Sequence, residues 1–547
     1  MAMATMPEVN KHASSRKLLV VTLLVLLFLL GSVFFFLSRQ PASTSAANAN
    51  VNAPAAPAAA RPFASAALAD ANDKLLVWAG NGAAPGEHSA SAPGTISFID
   101  GTGATTQVME IPPQTTRVEK CGDGATSPDG QNVALYIGLD AGSLYMMKGT
   151  NAPAKVADVQ GLVCTGGGTF QFSPDSNRFA YISYESDAAQ SEFADGHLHV
   201  YNTSDLSEAY DYENVTAFDI RNDGAAFVSF FTNDKNEADE AAVLWWSGTA
   251  DVEVATLKPN SEDCKFTSAN IAVAADGKYI LVLGHRCKKG DTRTAWQLYS
   301  VDPSSRTATL AATDFQEGSF AAFARSNQIF LSPDGSHAFF TVPDGITANT
   351  VGIKSVGTAD MSLSDVAESQ VIMPTFSGGA NAFPQISPDG KWLAAVVTSP
   401  NNENVLNIFN LSDASVAPIV LEAGSKGDTV SNFAFTNDSK RLIVIAGGNK
   451  SANNSLVGVD LDSGNNFRIG RGRFAPNFAI SPDGTQIAAL DWTIPEDPKE
   501  PAYTTTVIIT VDNSEKVELY TGAVFGADGK IDKTKLTFIA PLIWKRT

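Results

Sequence analysis

The chain has 547 residues, including 43 Gly and 27 Pro, and its formal net charge is −20 with 18% charged residues. A chain of this length can bury an ample core, and its many turn residues favour short strands over long helices, so we expect an all-β fold. The strong negative charge argues against general affinity for nucleic acid, because phosphates would be repelled over most of the surface.

Residues 18–37 form an uncharged and mostly apolar run, LLVVTLLVLLFLLGSVFFFL. As a helix this run spans about 30 Å, the thickness of a bilayer's hydrocarbon core. Lys11, Arg16 and Lys17 precede it and only Arg39 follows closely, so the positive-inside rule keeps residues 1–17 in the cytoplasm. We therefore expect a single-pass signal-anchor in the cytoplasmic membrane, with the rest of the chain on the periplasmic or extracellular side.

A cleaved signal peptide is the alternative interpretation of this run. The small residues of PASTSAANA would suit a signal peptidase, but the apolar core of a signal peptide is usually only about 7 to 15 residues long. The following residues, up to 73, are rich in Ala and Pro and carry little charge. We interpret residues 38–73 as a linker that holds the folded part away from the bilayer.

A repeat of about fifty residues follows the linker. Its mark is the turn sequence SPDG or a variant of it, and the aspartates of eight such turns are spaced by 45 to 58 residues. They are Asp129, Asp175, Asp223, Asp276, Asp334, Asp389, Asp438 and Asp483. This period is typical of a propeller or a solenoid.

Each repeat contains two hairpins. Apolar segments such as FQF and RFAYISY flank the SPDG turn, and a second strand-turn-strand pattern such as VLNIFNLSDASVAPIVL follows. Four antiparallel strands per repeat form the blade of a β-propeller. KLTFIAPLIW near the end supplies the strand that the first repeat lacks, so we predict one large propeller of eight or nine four-stranded blades over residues 74–547, closed by both termini.

The SPDG turn itself is explained by backbone geometry. Pro fits the second position of a type I turn, Ser and Asp can bond to nearby backbone N–H groups, and Gly accepts a left-handed conformation. We therefore predict a scaffolding role for the motif and not a catalytic aspartate.

The repeated SPDG between two apolar strands resembles the WD40-like repeat of bacterial envelope propellers, the type found in the TolB family. The resemblance covers roughly residues 74–547 and implies a propeller that binds proteins of the cell envelope. The chain departs from that family, because it has a predicted anchor and an Ala/Pro linker in place of a cleaved signal and a separate α/β domain. Shared partners are therefore not implied.

Four cysteines form two candidate pairs. Cys264 and Cys287 flank one hairpin turn at equal distances, so they should face each other, and Cys121 and Cys164 begin the first strands of consecutive repeats. Two disulfides fit an oxidising compartment. The alternative is four unpaired, buried thiols.

No sequence motif nominates a reaction or a cofactor. The chain contains no G-x-S-x-G elbow, no H-E-x-x-H, no P-loop and no Rossmann fingerprint. His197 and His199 alternate on a strand and would supply two metal ligands if a carboxylate joined them, but we expect a structural role. We predict no catalytic residue, no metal and no cofactor, and classify the chain as a non-enzyme.

The connections after second strands are long, divergent and charged, whereas the turns after first and third strands are short. In an antiparallel blade these two sets lie at opposite ends, and loops carried on a rigid scaffold are where binding usually resides. Two basic elements belong to the variable end, and they are candidate contacts for an acidic protein or an anionic polymer; the alternative, which the charge pattern favours, is ordinary solvated loops. Their residues are Arg286, Lys288, Lys289 and Arg293, and Arg468, Arg471 and Arg473.

These patterns predict a membrane-anchored scaffold or docking platform for other envelope proteins. The alternative is a propeller enzyme of the lactonase, lyase or hydrolase type, with its active site at the mouth of the central channel. A third interpretation, a sensor, would need an associated partner, because the tail of about seventeen residues holds no recognisable output domain.

Overall fold

The computed structural model of the protein is built from β-strands throughout the part of the chain that it describes. The described residues are 68, 70, 72–81, 94–101, 104–111, 117–120, 125–138, 141–160, 170–184, 196–232, 238–259, 264–287, 293–317, 329–343, 350–372, 384–398, 404–413, 415–422, 430–447, 454–493, 503–521 and 537–546. The predicted tail and anchor, residues 1–37, lie outside them. In these ranges no helix has the length and apolar character needed to cross a membrane.

The strands form units of four, in which neighbours along the chain pair antiparallel. Five units are separate sheets. The first contains β1 (Asp73–Asn81), β2 (Gly94–Asp100) and β3 (Thr105–Ile111), with β36 (Thr537–Arg546) beside β1. The other four are β4 (Arg117–Lys120), β5 (Asn132–Gly138), β6 (Ala141–Lys148) and β7 (Ala154–Gln160); β8 (Phe170–Phe172), β9 (Arg178–Tyr184), β10 (Gly196–Asn202) and β11 (Glu208–Tyr212); β28 (Val430–Phe435), β29 (Arg441–Gly447), β30 (Asn454–Asp460) and β31 (Asn466–Gly472); and β32 (Phe474–Ile480), β33 (Gln486–Thr493), β34 (Tyr503–Thr510) and β35 (Lys516–Thr521).

Two further sheets have eight strands, and each joins two consecutive units. One contains β12 (Val215–Arg221), β13 (Gly224–Thr232), β14 (Ala238–Trp246), β15 (Asp251–Leu257), β16 (Cys264–Val273), β17 (Tyr279–Cys287), β18 (Arg293–Asp302) and β19 (Thr307–Glu317). The other contains β20 (Ile329–Leu331), β21 (His337–Pro343), β22 (Thr350–Gly357), β23 (Leu363–Ile372), β24 (Gln385–Ile386), β25 (Trp392–Thr398), β26 (Asn404–Asn410) and β27 (Ile419–Glu422).

The propeller fold is confirmed, but the predicted number of blades is not. Counted as hydrogen-bonded sheets within the described residues, the blades number seven, whereas the sequence predicted eight or nine. The difference arises because one bridge, Ala238 to Phe266, fuses the units on either side of it, and a second bridge, Val371 to Val397, does the same. A count of repeated turns cannot detect hydrogen bonds between the third or fourth strand of one unit and the first or second strand of the next.

The last strand closes the ring. β36 pairs antiparallel with β1 from Asp73↔Arg546 to Asn81↔Thr537, so the two ends of the described chain share one sheet. The indole Nε1–H of Trp544 donates to Asp73 Oδ2 at 3.1 Å, and Lys545 Nζ donates to the carbonyls of Gln131 and Gly149. Burial lowers the pKa of Lys545 to about 8. The predicted closing role of this segment is confirmed.

The core lies between the units. Each cluster of buried apolar side chains joins two consecutive units; for example, Tyr136 of β5 packs in one cluster with Phe179 of β9. The series returns to its start, because Leu75 and Val77 of β1 share a cluster with Ala488 of β33 and Ile508 of β34. Burial on both faces explains why the second and third strands are almost continuously apolar.

Candidate functional site

The SPDG turns are held by their own side chains. In the turn at Asp389, Ser387 Oγ–H and the N–H of Lys391 both donate to Asp389 Oδ1, at 2.7 and 3.1 Å. The N–H of Trp392 donates to Ser387 Oγ at 3.0 Å, and Gly390 has a φ of 74°. The turns that begin at Ser127, Ser173, Ser332, Thr436 and Ser481 repeat this pattern. The predicted scaffolding role is confirmed.

The same bonds keep these carboxyl groups ionised. Burial raises the pKa of Asp389, but the hydrogen bonds from Ser387 and Lys391 outweigh it and the pKa falls below its usual value. For Asp334 the hydrogen bonds from Ser332 and Ser336 lower the pKa to about 2. A carboxylate held in this way is a poor general base near neutral pH, because its affinity for a proton is low.

Turns of neighbouring units are also bonded to each other. The N–H of Asp389 donates to Ser439 Oγ at 3.0 Å, although the two residues lie in consecutive units. A Cβ added to Gly390 would come within 2.3 Å of Pro333 Cδ, so the preceding turn packs directly against this one. Equivalent bonds join Asp129 to Ser176 and Asp175 to Asn222. We call this end of the units the turn end.

The other end of the units joins second strands to third strands and each unit to the next. We call it the connection end. The strand bounds leave eleven residues between β9 and β10, nine between β33 and β34, and two between β5 and β6. At the turn end, five residues separate the first strand from the second in six units, whereas two separate β12 from β13 and eleven separate β4 from β5. Connection lengths therefore vary more often at the connection end, as predicted.

First strands are linked by polar side chains two positions before the turn. Gln171 Nε2 donates to the carbonyl of Phe218, and Gln385 makes the equivalent bond to Phe433. Asp219 takes this position in its unit, and its Oδ2 accepts from the N–H of Val273 at 2.6 Å. Burial raises the pKa of Asp219 to about 6, because it outweighs the effects of Arg221 and of that N–H.

A row of unpaired polar atoms lies between the units of β16–β19 and β20–β23. Ser268, Gly284 and Trp296 face one another across β16, β17 and β18, with Asn270 one row further along. The Ser268 Oγ, Asn270 Nδ2 and Trp296 Nε1 atoms are buried and have no hydrogen-bond partner. These residues belong to no recognised sequence motif. The sequence signal for them is the presence of three polar residues, Thr267, Ser268 and Asn270, within a buried first strand.

Of the predicted basic residues of the second element, Arg468 and Arg471 lie on β31 and Arg473 lies between β31 and β32. Arg468 and Arg471 are exposed, and Arg473 is half-buried. Arg468 pairs with Val457 and Arg471 with Ser455, and the bulge at Ile469 puts both arginines on one face of the sheet although they are three residues apart. Arg471 and Arg473 lie at the connection end, whereas Arg468 lies nearer the middle of β31.

The first basic element is only partly described. Arg286 lies in β17 and Arg293 begins β18, so they flank one connection, while Lys288 and Lys289 lie outside the described residues. This connection and β31 belong to different sheets. No strand pairing among the described residues brings the two basic elements together.

A shallow groove, which we call the arginine groove, lies beside Arg468. It has a volume of about 400 Å³ and is lined by Val420, Leu421, Val457, Asn466 and Arg468. Val420 remains 51% exposed on β27, a fourth strand. The groove therefore offers an apolar floor beside a guanidinium group.

The predicted cysteine pair is opposed in the structure. Cys264 on β16 lies directly opposite Cys287 on β17, as their equal distances from the turn predicted. Cys264 is buried and disulfide-bonded. The strand register allows a disulfide between Cys264 and Cys287, and that pairing stays a prediction. Cys121 and Cys164 lie outside the described residues.

His197 and His199 lie on the same face of β10, with their ring centroids 6.3 Å apart. Within the described ranges, His199 lies close to two carboxylates. Its Nδ1 lies 2.7 Å from Glu208 Oε1, and Asp211 completes a group whose ligand atoms all lie within 4.8 Å of one another. The sequence argument paired the two histidines and missed these carboxylates, because a bulge in β11 determines where they point.

Comparisons with known proteins find no family for the chain. No family model matches the chain, and no curated protein matches it. Solved structures that match include a prolyl endopeptidase (11% identity, 70% of this chain and 53% of that chain, TM-score 0.39). An oligogalacturonate lyase in complex with manganese matches at 12% identity over 82% of this chain and 99% of that chain, with a TM-score of 0.40.

TolB from Acinetobacter baumannii matches at 15% identity, over 69% of this chain and 83% of that chain, with a TM-score of 0.24. The chain spans about half the length of the prolyl endopeptidase. These neighbours include enzymes and a TolB protein, and their low identities and TM-scores carry no argument about function. The propeller assignment rests on the strand order and the ring closure described above.

Proposed function

We propose that the protein is a binding scaffold, anchored in the cytoplasmic membrane by residues 18–37 and displayed outside the cytoplasm as a docking platform for envelope proteins. The contrast between the two ends of the units carries this proposal. At the turn end most turns share one length and are bonded from unit to unit, whereas the connection end varies in length. A rigid framework with variable connections at one end suits a binding role.

The groove beside Arg468 supports a partner of defined chemistry. Arg468 and Arg471 are exposed on one face, and the 51% exposed side chain of Val420 is an apolar contact beside Arg468. On a protein of net charge −20, such a local cationic site favours an acidic segment that also presents an apolar side chain. An anionic polymer is the alternative partner for the same arginines.

The anchor and the location of the propeller rest on the sequence. The apolar run of twenty residues and the basic residues before it favour a single crossing with the N-terminus inside. An extracytoplasmic location agrees with the proposed Cys264–Cys287 disulfide. The proposal assigns no reaction to the chain.

The test is affinity capture after crosslinking in intact membranes. We expect the wild-type chain to capture a defined envelope protein, and the triple variant Arg468→Gln, Arg471→Gln, Arg473→Gln to capture about tenfold less, since each exposed ion pair contributes up to about 1 kcal/mol. A second variant neutralises Arg286, Lys288, Lys289 and Arg293.

A matched control removes three positive charges elsewhere. Lys148, Lys155 and Lys258 are exposed and lie in other units, so their replacement by Gln should leave capture unchanged. Equal capture by the wild type and both arginine-element variants would remove these residues from the proposal. Capture of no envelope protein by the wild type would contradict the scaffold itself.

A further inference from the structure

A second chemical feature lies in a different sheet from the arginine groove, on the third and fourth strands of the β8–β11 sheet. His199 on β10 lies directly opposite Asp211 on β11. Two residues further along β10, Tyr201 would face Ala209 in a regular ladder. A bulge at Ala209 places Glu208 opposite Tyr201 instead.

The bulge determines the chemistry of this face. Side chains alternate along a strand, so without the extra residue Glu208 would point to the opposite face of the sheet from Asp211. With it, both carboxylates flank the imidazole of His199, and one ligand atom from each of the three residues lies within 4.8 Å of the other two. We propose that His199, Glu208 and Asp211 form a binding site for a divalent first-row transition-metal ion.

The imidazole is already oriented for this role. Its ring stacks on Tyr181 with centroids 4.9 Å apart, and its side chain is only 18% exposed. Nε2 lies 2.8 Å from Ser183 Oγ, and Nδ1 points at Glu208. Metal-ligating histidines typically have their second ring nitrogen held by a hydrogen bond of this kind.

The Ser183 hydroxyl fits both states of the ring. In the ion-free state the Glu208 carboxylate accepts from Nδ1–H, so Nε2 accepts from the hydroxyl of Ser183. When Nδ1 binds a metal ion, the ring proton moves to Nε2. The Nε2–H group then donates a hydrogen bond to the hydroxyl oxygen of Ser183. The ring therefore keeps its orientation when the ion replaces the proton.

The carboxylates have room to close on an ion. Ligand atoms around a tetrahedral zinc ion, each about 2.0–2.1 Å from it, lie about 3.3 Å apart. In the ion-free structure the ligand atoms of His199, Glu208 and Asp211 lie within 4.8 Å of one another. The Glu208 side chain is 42% exposed and Asp211 is also exposed, so both can rotate inward without disturbing the core. Solvent can supply the remaining ligand.

The ligand set determines the class of ion. One imidazole and two carboxylates suit zinc and its first-row neighbours, whereas calcium and magnesium take oxygen ligands. The site would hold an ion on the outer strands of the propeller. The ion would link β11, the fourth strand, to β10, the third strand; β10 is the one described strand that pairs with β11 in this sheet.

The test titrates the full chain, purified in detergent without a histidine tag and without reductant, with zinc in competition with a chromophoric chelator. We expect one zinc ion per chain with wild-type protein. His199→Ala and Glu208→Gln should each weaken zinc binding at least tenfold, since each removes one of three protein ligands. Cobalt(II) bound at the site should show visible d–d absorption that both variants lose.

His197→Ala is the matched control, because His197 lies on the same strand and the same face but outside the group of three. It should bind zinc like the wild type. Glu208→Gln retains the shape of the side chain, so a loss of binding without a change in the melting temperature of the ion-free protein separates ligation from folding. The proposal is overturned if the wild type binds no zinc, if His199→Ala binds as tightly as the wild type, or if His197→Ala loses binding equally.

Discussion

Ser439 connects two units through a single hydroxyl group. It has a φ of 57°, it is 7% exposed, and its Oγ accepts from the N–H of Asp389 in the preceding unit. Ser439→Ala retains the Cβ and the backbone conformation but leaves that N–H without its partner. The loss of one such bond costs about 1 kcal/mol, so the Asp389 amide should exchange about fivefold faster in hydrogen-exchange mass spectrometry.

Ser514 provides the control for this prediction. Its φ is 59°, but its hydroxyl lies on an exposed turn and makes only a long 3.3 Å bond to the carbonyl of Arg468. Ser514→Ala should leave the exchange of the Asp389 amide unchanged. Unaltered exchange in Ser439→Ala would show that packing of the turns, and not this bond, holds the units together.

Asp219 gives the fold an unusual dependence on pH. Its pKa is raised to about 6 in the folded chain, above the ordinary value of 3.8, so the folded state binds its proton more tightly than the unfolded state. The stability that this group contributes is present below about pH 4 and is lost as the pH rises to about 6. A shift of about two units corresponds to about 3 kcal/mol.

The variant Asp219→Asn retains the shape of the protonated side chain and removes the titration. We expect the wild type to lose about 3 kcal/mol of unfolding free energy relative to the variant between pH 4 and pH 7, measured by urea unfolding. The comparison uses the difference in unfolding free energy between the two proteins. The lowered pKa values of Asp334 and Asp389 change the stability of both proteins with pH in the opposite direction, and this effect cancels in the difference. A difference that is constant with pH would contradict the assignment.

Single residues of the turn were predictable because their role is local. Ser387, Asp389 and Gly390 bond or bend within one turn, so the motif contains the information that sets their geometry. The pKa of Asp219 was not predictable, because it depends on burial against a neighbouring unit. Its position two residues before the turn, shared with Gln171 and Gln385, was visible in the sequence, but its contact with Val273 was not.

At the scale of strands, register follows from the turn and from bulges together. The five residues between β16 and β17 pair Val273 with Tyr279. A bulge at Thr267 shifts the register by one residue, so that Cys264 lies opposite Cys287. We predict a Cys264–Cys287 disulfide, detectable as one linked peptide in a digest made without reductant and as two separate peptides after reduction. A free thiol at Cys287, or a link from Cys264 to Cys121 or Cys164, would contradict this prediction.

Bulges are the strand-scale feature that the sequence did not reveal. The extra residue Ala209 puts Glu208 on the face of His199, and the extra residue Ile469 puts Arg471 on the face of Arg468. Alternation along a regular strand predicts the opposite face in both cases. Both candidate binding features therefore depend on bulges that periodicity alone cannot locate.

At the scale of the whole molecule, the repeat predicted a closed propeller but not how its units join into blades. The bridges from Ala238 to Phe266 and from Val371 to Val397 reduce the blade count to seven sheets. Ring closure was predictable, because the first repeat lacked one strand and the final segment had the composition of one. Closure also fixes which ends of the units lie together.

Crosslinking of β1 to β36 tests the closure most directly. Leu76 lies opposite Ile543 and shares a buried cluster with it, whereas Leu75 packs on the opposite face of the sheet. Under mild oxidation the pair Leu76→Cys and Ile543→Cys should give a linked peptide within one chain, and the control pair Leu75→Cys and Ile543→Cys should not. Absence of the link in the first pair, or a link only between two chains, would contradict a ring closed by its own ends.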